Sequence, residues 1–403
     1  MEAEKQQYNP TPKQQLIEKL KGANQILICA HENPDGDALG SALALQHVLD
    51  RLGKHVTVVA SGKKDATLDF LNNFTSVLTE NDIQSQPEFL IVLDETDSKA
   101  KNVEVRRVDD HHIALVLTAE SGQFTPEKVQ FRPGKYNYDL IVVVDCANKE
   151  QLGALYKMHE RLFQNVPTVV IDHHLNHQPF GIVDLVEEKA AATAEILVAI
   201  IEALGQNNGR SVNLIDQHVA TCLLTGLVTD TGSFQNSNTT PKSLTVAAQM
   251  LAEAADHRTI INRVFLTRPL SQLRLWGRAL TALKEDKPLR FTWATLTKAD
   301  FVAAQASEEE ITGLIDNLIK TAAETDFVLL LTERKGGVHG SLRSIKEGVD
   351  VEQLAKLFGG GGHKQAAAFF TPAVTLAEYE QRVVNMMRKV QRERLNSQPL
   401  ATG

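Results

Sequence analysis

The sequence predicts a two-domain α/β protein: an N-terminal parallel sheet with flanking helices, linked by a helix to a smaller α/β domain. Three observations carry this. Short β-branched runs alternate with helix-patterned stretches through the first half. After a helical stretch at 270–283 a second set of strand patterns begins. At 403 residues the chain is long enough for more than one core.

The expected strands of the first domain are QILICA (25–30), HVTVVA (55–60), EFLIVLD (88–94), DLIVVVD (139–145) and PTVVID (167–172). Helical patterns separate them at 38–53 and 151–163, and AATAEILVAIIEALG (191–205) ends on a glycine suited to a C-cap. Residues 97–136 break the rhythm. KNVEVRRV, HIALVLTAES and KVQFRP alternate as an antiparallel hairpin or three-stranded flap does, which makes the segment an insertion. The boundaries expected are 1–255 for the first domain, 256–285 for a helical linker centred on SQLRLWGRALTAL, and 286–395 for the second. There LRFTWATL, DFVLLLTERK, GVHGSLRSI and AAAFFT read as strands, and TLAEYEQRVVNMMRKVQRERL as a closing helix with a solvated basic end. No 20–50-residue period repeats.

Composition narrows the function. The chain is 43% hydrophobic and 23% charged, with a formal net charge of −8. No bulk cationic field exists to hold long nucleic acid, so an anionic substrate must be drawn in by local charge or bound metal. The polar start MEAEKQQYNPTPKQQ has no signal-peptide core, and runs such as VATCLLTGLV are too short to span a bilayer. Cys29, Cys146 and Cys222 form no CxxC pair and fit buried thiols of a reducing cytoplasm.

Four segments place carboxylates and imidazoles at turns, three of them past the carboxyl ends of expected strands, where open α/β sheets gather ligands. HENPDGDALGS supplies His31, Asp35 and Asp37, with Pro34 and Gly36 tightening the turn. Asp145 ends DLIVVVD; Asp172, His173 and His174 end VVIDHH; Asp230 lies in LLTGLVTDTGSF after an apolar helix. Oxygen ligands mixed with imidazole suit Mn²⁺, Fe²⁺, Co²⁺ or Zn²⁺ better than Mg²⁺. Six or more ligands suffice for two ions about 3.5–4 Å apart, a pair that activates a bridging water and clamps the oxygens of a displacement at phosphorus.

Two decoys need separating. Asp110, His111 and His112 repeat the DHH string but follow the charged alternating EVRRV, and read as an exposed turn. Asp94 also ends an apolar strand, but DLIVVVD immediately precedes VVIDHH and makes Asp145 the better candidate. Downstream, FGGGGHKQAAAFF (358–370) allows backbone N–H groups to approach an anion, with His363 as a further donor and Arg343 on the strand GSLRSI. His47, His55 and His159 are read as surface residues, His177 and His339 as candidate substrate contacts, and Trp276 and Trp293 as packing residues.

Together these segments resemble the DHH phosphoesterase superfamily, within it the bacterial oligoribonuclease (nanoRNase) and cyclic-dinucleotide phosphodiesterase group with its DHH-associated C-terminal domain. The resemblance spans roughly 14–390, and HENPDGDALGS and GGGGH are its most specific pieces. It implies that His31, Asp35, Asp37, Asp145, His173 and Asp230 are metal ligands, with Asp145 bridging two divalent ions, expected to be Mn²⁺. It implies catalytic roles for Asp145 and His173, with Asp172 and His174 supporting them. Arg343, Gly361, Gly362 and His363 would hold the substrate's phosphate or terminal nucleotide, with the active site in the cleft between the domains. The reaction implied is hydrolysis of short oligonucleotides or cyclic or linear dinucleotides to 5′-mononucleotides, and in some relatives of 3′-phosphoadenosine 5′-phosphate. The partners expected are that substrate and a second copy of the chain, with no membrane and no long duplex. The chain departs from the pattern in Ala368, where GGGGHxxAAG ends in Gly, and in the extra flap. Two rivals are a RecJ-like single-strand exonuclease, for which neither an added oligonucleotide-binding domain nor a basic channel is visible, and a non-catalytic nucleotide binder. A pyrophosphatase of DHH type would lack GGGGH.

Overall fold

A computed structural model describes residues 10–207, 210–317, 324–346 and 348–397. They fall into two units, Met1–Thr267 and Arg268–Gly403. In the first, α1 (Pro12–Gly22) starts at a capping box formed by Thr11 and Gln14. It is followed by β1 (Gln25–Ala30), α2 (Gly36–Arg51), β2 (His55–Ala60), β3 (Phe89–Leu93), β4 (Lys99–Arg107), β5 (Ile113–Ser121) and β6 (Val129–Pro133). The chain continues through β7 (Leu140–Val144), α3 (Ala154–Asn165), β8 (Thr168–Asp172), β9 (Val183–Val186) and α4 (Thr193–Leu204). A short pair, β10 (Gln206–Asn207) and β11 (Arg210–Ser211), precedes α5 (Gln217–Asp230), α6 (Pro241–Ala252) and α7 (His257–Ile260).

The main sheet runs β2-β1-β7-β8-β9 and every pairing is parallel. Alternate residues of each strand enter cores on opposite faces. Ile26, Ile28, Val142 and Val144 pack with the helix side chains of α2, α4 and α5, whereas Leu27, Cys29, Ile141 and Val143 pack with Leu155 and Leu162 of α3. Burial on both faces is why these strands read as unbroken apolar runs. The helices α2 and α5 cross closely: a Cβ on Gly40 would lie 2.4 Å from the Cys222 carbonyl oxygen. All three cysteines are buried, and burial pushes their thiols up.

One strand is placed differently from expectation. Segment 88–94 leaves the main sheet; β3 pairs antiparallel with β6 in a ribbon of its own, and β4 pairs with β5 in a second. Phe89 is 70% exposed and Phe131 is 67% exposed, so apolar content alone did not signal a core strand here. The sheet's fifth strand is instead β9, whose short VDLV carries too little pattern to stand out.

The second unit begins with α8 (Leu270–Thr281), β12 (Lys284–Asp286), β13 (Phe291–Leu296), α9 (Lys298–Ala304) and α10 (Leu314–Asn317). Next come β14 (Phe327–Arg334), β15 (Gly337–Ser344), α11 (Val351–Lys356), β16 (Gly361–His363), β17 (Ala366–Pro372) and α12 (Leu376–Ser397). Its six-stranded sheet, β12-β13-β14-β15-β17-β16, is antiparallel except between β13 and β14. Trp293 and Trp276 lie in its two cores, and their indole N–H groups donate to Glu380 Oε1 at 2.8 Å and the Glu310 carbonyl at 3.1 Å. They are packing residues, as their lack of an aromatic ladder suggested. Among the described residues no helix is long and apolar enough to cross a membrane.

Candidate metal centre

The carboxyl edge of the main sheet places the first three motifs, and the end of α5 brings in the fourth. His31 follows β1, and its Nδ1 lies 3.0 Å from the Glu32 carbonyl oxygen, to which it donates, so Nε2 is left facing the cluster. Asp35 is the N-cap of α2; one oxygen accepts from the N–H groups of Asp37 and Ala38 at 3.0 and 3.1 Å. Asp37, in the first turn, is fully buried. The N–H groups of Thr193 and Ala194, at the start of α4, donate to its two oxygens at 2.5 and 2.9 Å, and Ser41 Oγ adds a third bond. A helix N-terminus thus holds a carboxylate that burial alone would disfavour.

Asp145 follows β7 with φ +59°, a left-handed conformation uncommon outside glycine and best tolerated by Asn and Asp. Its N–H still donates to the Ile171 carbonyl at 2.9 Å, and Thr193 Oγ1 donates to its Oδ1 at 3.0 Å. Asp145 is thus a buried acid held from two sides. His173 and His174 follow β8, and Asp230 is the last residue of α5.

The side chains of His31, Asp35, Asp145, His173, His174 and Asp230 line a cavity of ≈ 420 Å³. His31 Nε2 lies 3.7 Å from Asp35 and 3.8 Å from Asp145 Oδ2; His173 Nε2 lies 3.4 Å from Asp145 Oδ1 and 3.2 Å from Asp230 Oδ2. Three overlapping groups could each hold a cation: His31 with Asp35 and Asp145, Asp37 with His173 and Asp230, and Asp145 with His173 and His174. The two oxygens of Asp145 face different histidines. Asp145 thus belongs to two of the three groups at once.

The electrostatics fit the same reading. Burial and the charges of Asp145 and Asp230 push Asp37 well above the usual carboxylate range, and burial with Asp145 raises Asp230. Burial works against protonation of His173, yet Asp145 and Asp230 raise it to about 11; His31, opposed by burial but drawn up by Asp35, reaches about 9. Acids that repel one another and imidazoles that retain protons against them describe a site short of the positive charge that divalent ions supply.

A pH dependence follows. Both imidazoles are raised above 6.5, so what they contribute to the metal-free fold is complete below that pH. It is lost as pH rises through about 9 for His31, then about 11 for His173. The melting temperature of chelator-treated protein is expected to fall between pH 7 and pH 9.5, and Mn²⁺ binding to release protons and tighten over that range. Calorimetry in two buffers of different ionisation heat reads the protons; uptake without proton release contradicts the assignment.

Behind the cluster lies support that the sequence showed only in part. Fully buried Asp172 meets His174 Nδ1 at 2.7 Å through one oxygen and His177 Nδ1 at 2.7 Å through the other. His177 is therefore no substrate contact: its side chain is 5% exposed, and its Nε2 meets Asp184 Oδ1 at 3.1 Å. The short VDLV gave no signal for Asp184; it is the pairing of β9 that sets it opposite Val170 of β8. Replacing His177 leaves two carboxylates facing each other without a shared donor. His177→Ala is expected to lower metal affinity about 10- to 100-fold, with partial recovery in His177→Gln, as read by metal titration.

In the second unit, Arg343 lies on β15 opposite Val328 and Ala366, and lines a ≈ 180 Å³ pocket with Arg334, Thr332 and Ser341. The glycine run differs from the open anion loop expected. Gly361, Gly362 and His363 form the edge strand β16, paired with Ala368, Ala367 and Ala366, and all three are exposed. A Cβ on Gly362 would sit 2.5 Å from the Ala366 carbonyl, so the close pairing itself requires glycine.

The decoys sit elsewhere. Asp110, His111 and His112 are exposed at the β4–β5 turn, where Asp109 holds His112 Nδ1 at 2.8 Å. Asp94 is exposed and bonded to Thr96. His159, expected on the surface, is buried at a kink in α3 with Nε2 2.6 Å from the Glu80 carbonyl.

The chain is similar to several known proteins. The chain is 27% identical over 379 residues to the bifunctional oligoribonuclease and PAP phosphatase NrnA of Thermus thermophilus, covering 93% of each chain. It is 24% identical over 394 residues to the cyclic-di-AMP phosphodiesterase PdeA of Listeria monocytogenes, covering 92% of this chain and 48% of that protein. An exopolyphosphatase-related protein from Bacteroides fragilis has the same fold, with TM-score 0.70 at 21% identity over 94% of this chain and 96% of that one. Residues 25–227 match the DHH family N-terminal domain and residues 297–393 the DHHA1 domain, so the chain belongs to the DHH family.

Proposed function

We propose that the protein is a metal-dependent phosphodiesterase that hydrolyses short oligonucleotides and linear or cyclic dinucleotides to 5′-mononucleotides, with 3′-phosphoadenosine 5′-phosphate as a further substrate. The observation that carries this is the pair of ligand groups sharing Asp145, one oxygen toward His31 and the other toward His173. His31, Asp35 and Asp145 would hold one ion, and Asp37, His173, Asp230 and Asp145 the other; mixed nitrogen and oxygen donors favour Mn²⁺. Two such ions supply an activated water and neutralise phosphoryl charge.

The chain's own groups do the rest. The buried N-terminus of α4 fixes Asp37, and Thr193 fixes Asp145, so the carboxylates do not reorganise as charge develops. Asp172 orients His174 through Nδ1, leaving Nε2 as the ring's remaining polar atom for a phosphoryl or leaving oxygen. Arg343, Gly361, Gly362 and His363 are proposed to hold the substrate's phosphate or terminal nucleotide, which the guanidinium's forked donors suit. A domain division at 255 and 286 and a cytoplasmic homodimer complete the reading; the exposed Phe89 and Phe131 support self-association.

The test is turnover of the dinucleotide pApA with Mn²⁺ and with chelator. Mn²⁺-dependent release of AMP is expected. Tight dinucleotide binding with no release would make the protein a nucleotide binder instead.

A further inference from the structure

Next to the metal centre lies a second cavity, of ≈ 390 Å³, that no step above uses. The two cavities share Glu150 on their walls. Three aromatic rings line it. Tyr156 and Phe163, about two helical turns apart on α3, have ring centres 5.3 Å apart at 52°. Phe180, on the segment between β8 and β9, is stacked at 6.0 Å on His177, the residue that braces Asp172. All three residues are half-buried. Amides of Asn148 and Gln178 also line the cavity, and Lys149 sits 5.3 Å over the Tyr156 ring.

Half-buried aromatic side chains, amides and one cation on a single wall are what a nucleobase and its sugar-phosphate need: apolar contact for the ring, hydrogen-bonding edges, and a counter-charge. A carboxylate at the shared wall favours the base over a phosphate on the far side, because Glu150 repels anions but accepts from amino and hydroxyl groups. We infer that this aromatic cavity is a nucleoside subsite, taking one of the two bases that flank the phosphodiester held at the metal centre. The inference rests on the phosphodiesterase reading and deepens it: a substrate with a base on that side is preferred over a bare phosphate ester.

The experiment compares two Mn²⁺-dependent substrates, pApA and a base-free diester with the same sugar-phosphate backbone and both adenines replaced by hydrogen, in wild type, Tyr156→Leu and Gln178→Ala. Leucine keeps apolar packing and removes the ring; Gln178 is exposed and outside any helix or strand, so its variant stays readable if the first does not fold. The ratio of the KM for pApA to that for the base-free diester is expected to rise about tenfold in Tyr156→Leu and at least threefold in Gln178→Ala. A wild type that cleaves pApA while both ratios stay within twofold overturns the subsite alone. A wild type inert toward both substrates overturns the subsite and the phosphodiesterase reading together.

Discussion

Asp145→Asn is expected to lower kcat/KM for pApA by about 1,000-fold or more in saturating Mn²⁺, while the protein remains folded. Asparagine is the substitution that isolates charge from backbone, because it tolerates the left-handed φ of +59° almost as well as aspartate. Alanine would add backbone strain and blur the result. The amide can still accept from Thr193 Oγ1, which preserves the 3.0 Å bond that ties β7's end to α4. What it removes is the negative charge lying between His31 and His173. Several kcal/mol of phosphoryl charge stabilisation depend on two ions being held together, and about 4 kcal/mol corresponds to 1,000-fold. The stabilisation that Mn²⁺ confers on the wild type, about 2.7 kcal/mol at a hundredfold excess over Kd, should shrink as well. Near-normal turnover in Asp145→Asn would remove Asp145 from its bridging role.

A second large effect is expected from a residue with no side chain. Gly226→Ala should cost at least about 100-fold in kcat/KM with a net loss of stability of no more than about 2 kcal/mol. A Cβ at position 226 would stand 2.4 Å from Asp37 Oδ1 and 2.9 Å from the Ala194 Cβ, with the Asp37 Cα at 3.1 Å. Asp37 cannot swing aside, because its carboxylate is held by Ser41, Thr193 and Ala194 in a fully buried site. Overpacking of this kind costs about 1–3 kcal/mol. Alanine in the middle of α5 returns up to about 1 kcal/mol through helix propensity, so the two terms partly offset in stability. They do not offset at the metal, where a displacement of a few tenths of an ångström misplaces a ligand. Thermal melts and metal titration on the same sample separate the two. Loss of activity through global unfolding, with the metal affinity of the folded fraction unchanged, would contradict the account.

The chemistry-bearing part of the fold was legible because it lies at strand ends. QILICA, DLIVVVD and PTVVID are buried on both faces, so their apolar runs were unbroken and the polar residue closing each run was conspicuous. EFLIVLD misled for the same reason: its apolar run matches theirs, and only tertiary position shows that it forms an exposed ribbon with β6. Residues that position the ligands were hidden because they act through backbone or across strands. Thr193 and Ala194 hold Asp37 with main-chain N–H groups, which any residue but proline could supply. His177 meets Asp184 only because β9 adds to the sheet beside β8, and β9 spans four residues. The glycine run at 359–362 was seen, but its edge-strand pairing depends on Ala366–Ala368 opposite it, a register no local pattern specifies.

The central claim is that Asp145 joins two ions into one hydrolytic centre. The most direct measurement returns Mn²⁺ stepwise to metal-stripped protein, counting bound metal per chain while AMP release from pApA is followed. Release that stays low through the first equivalent and rises with the second is the expected result. Full turnover with one ion bound, or none with two, would contradict it.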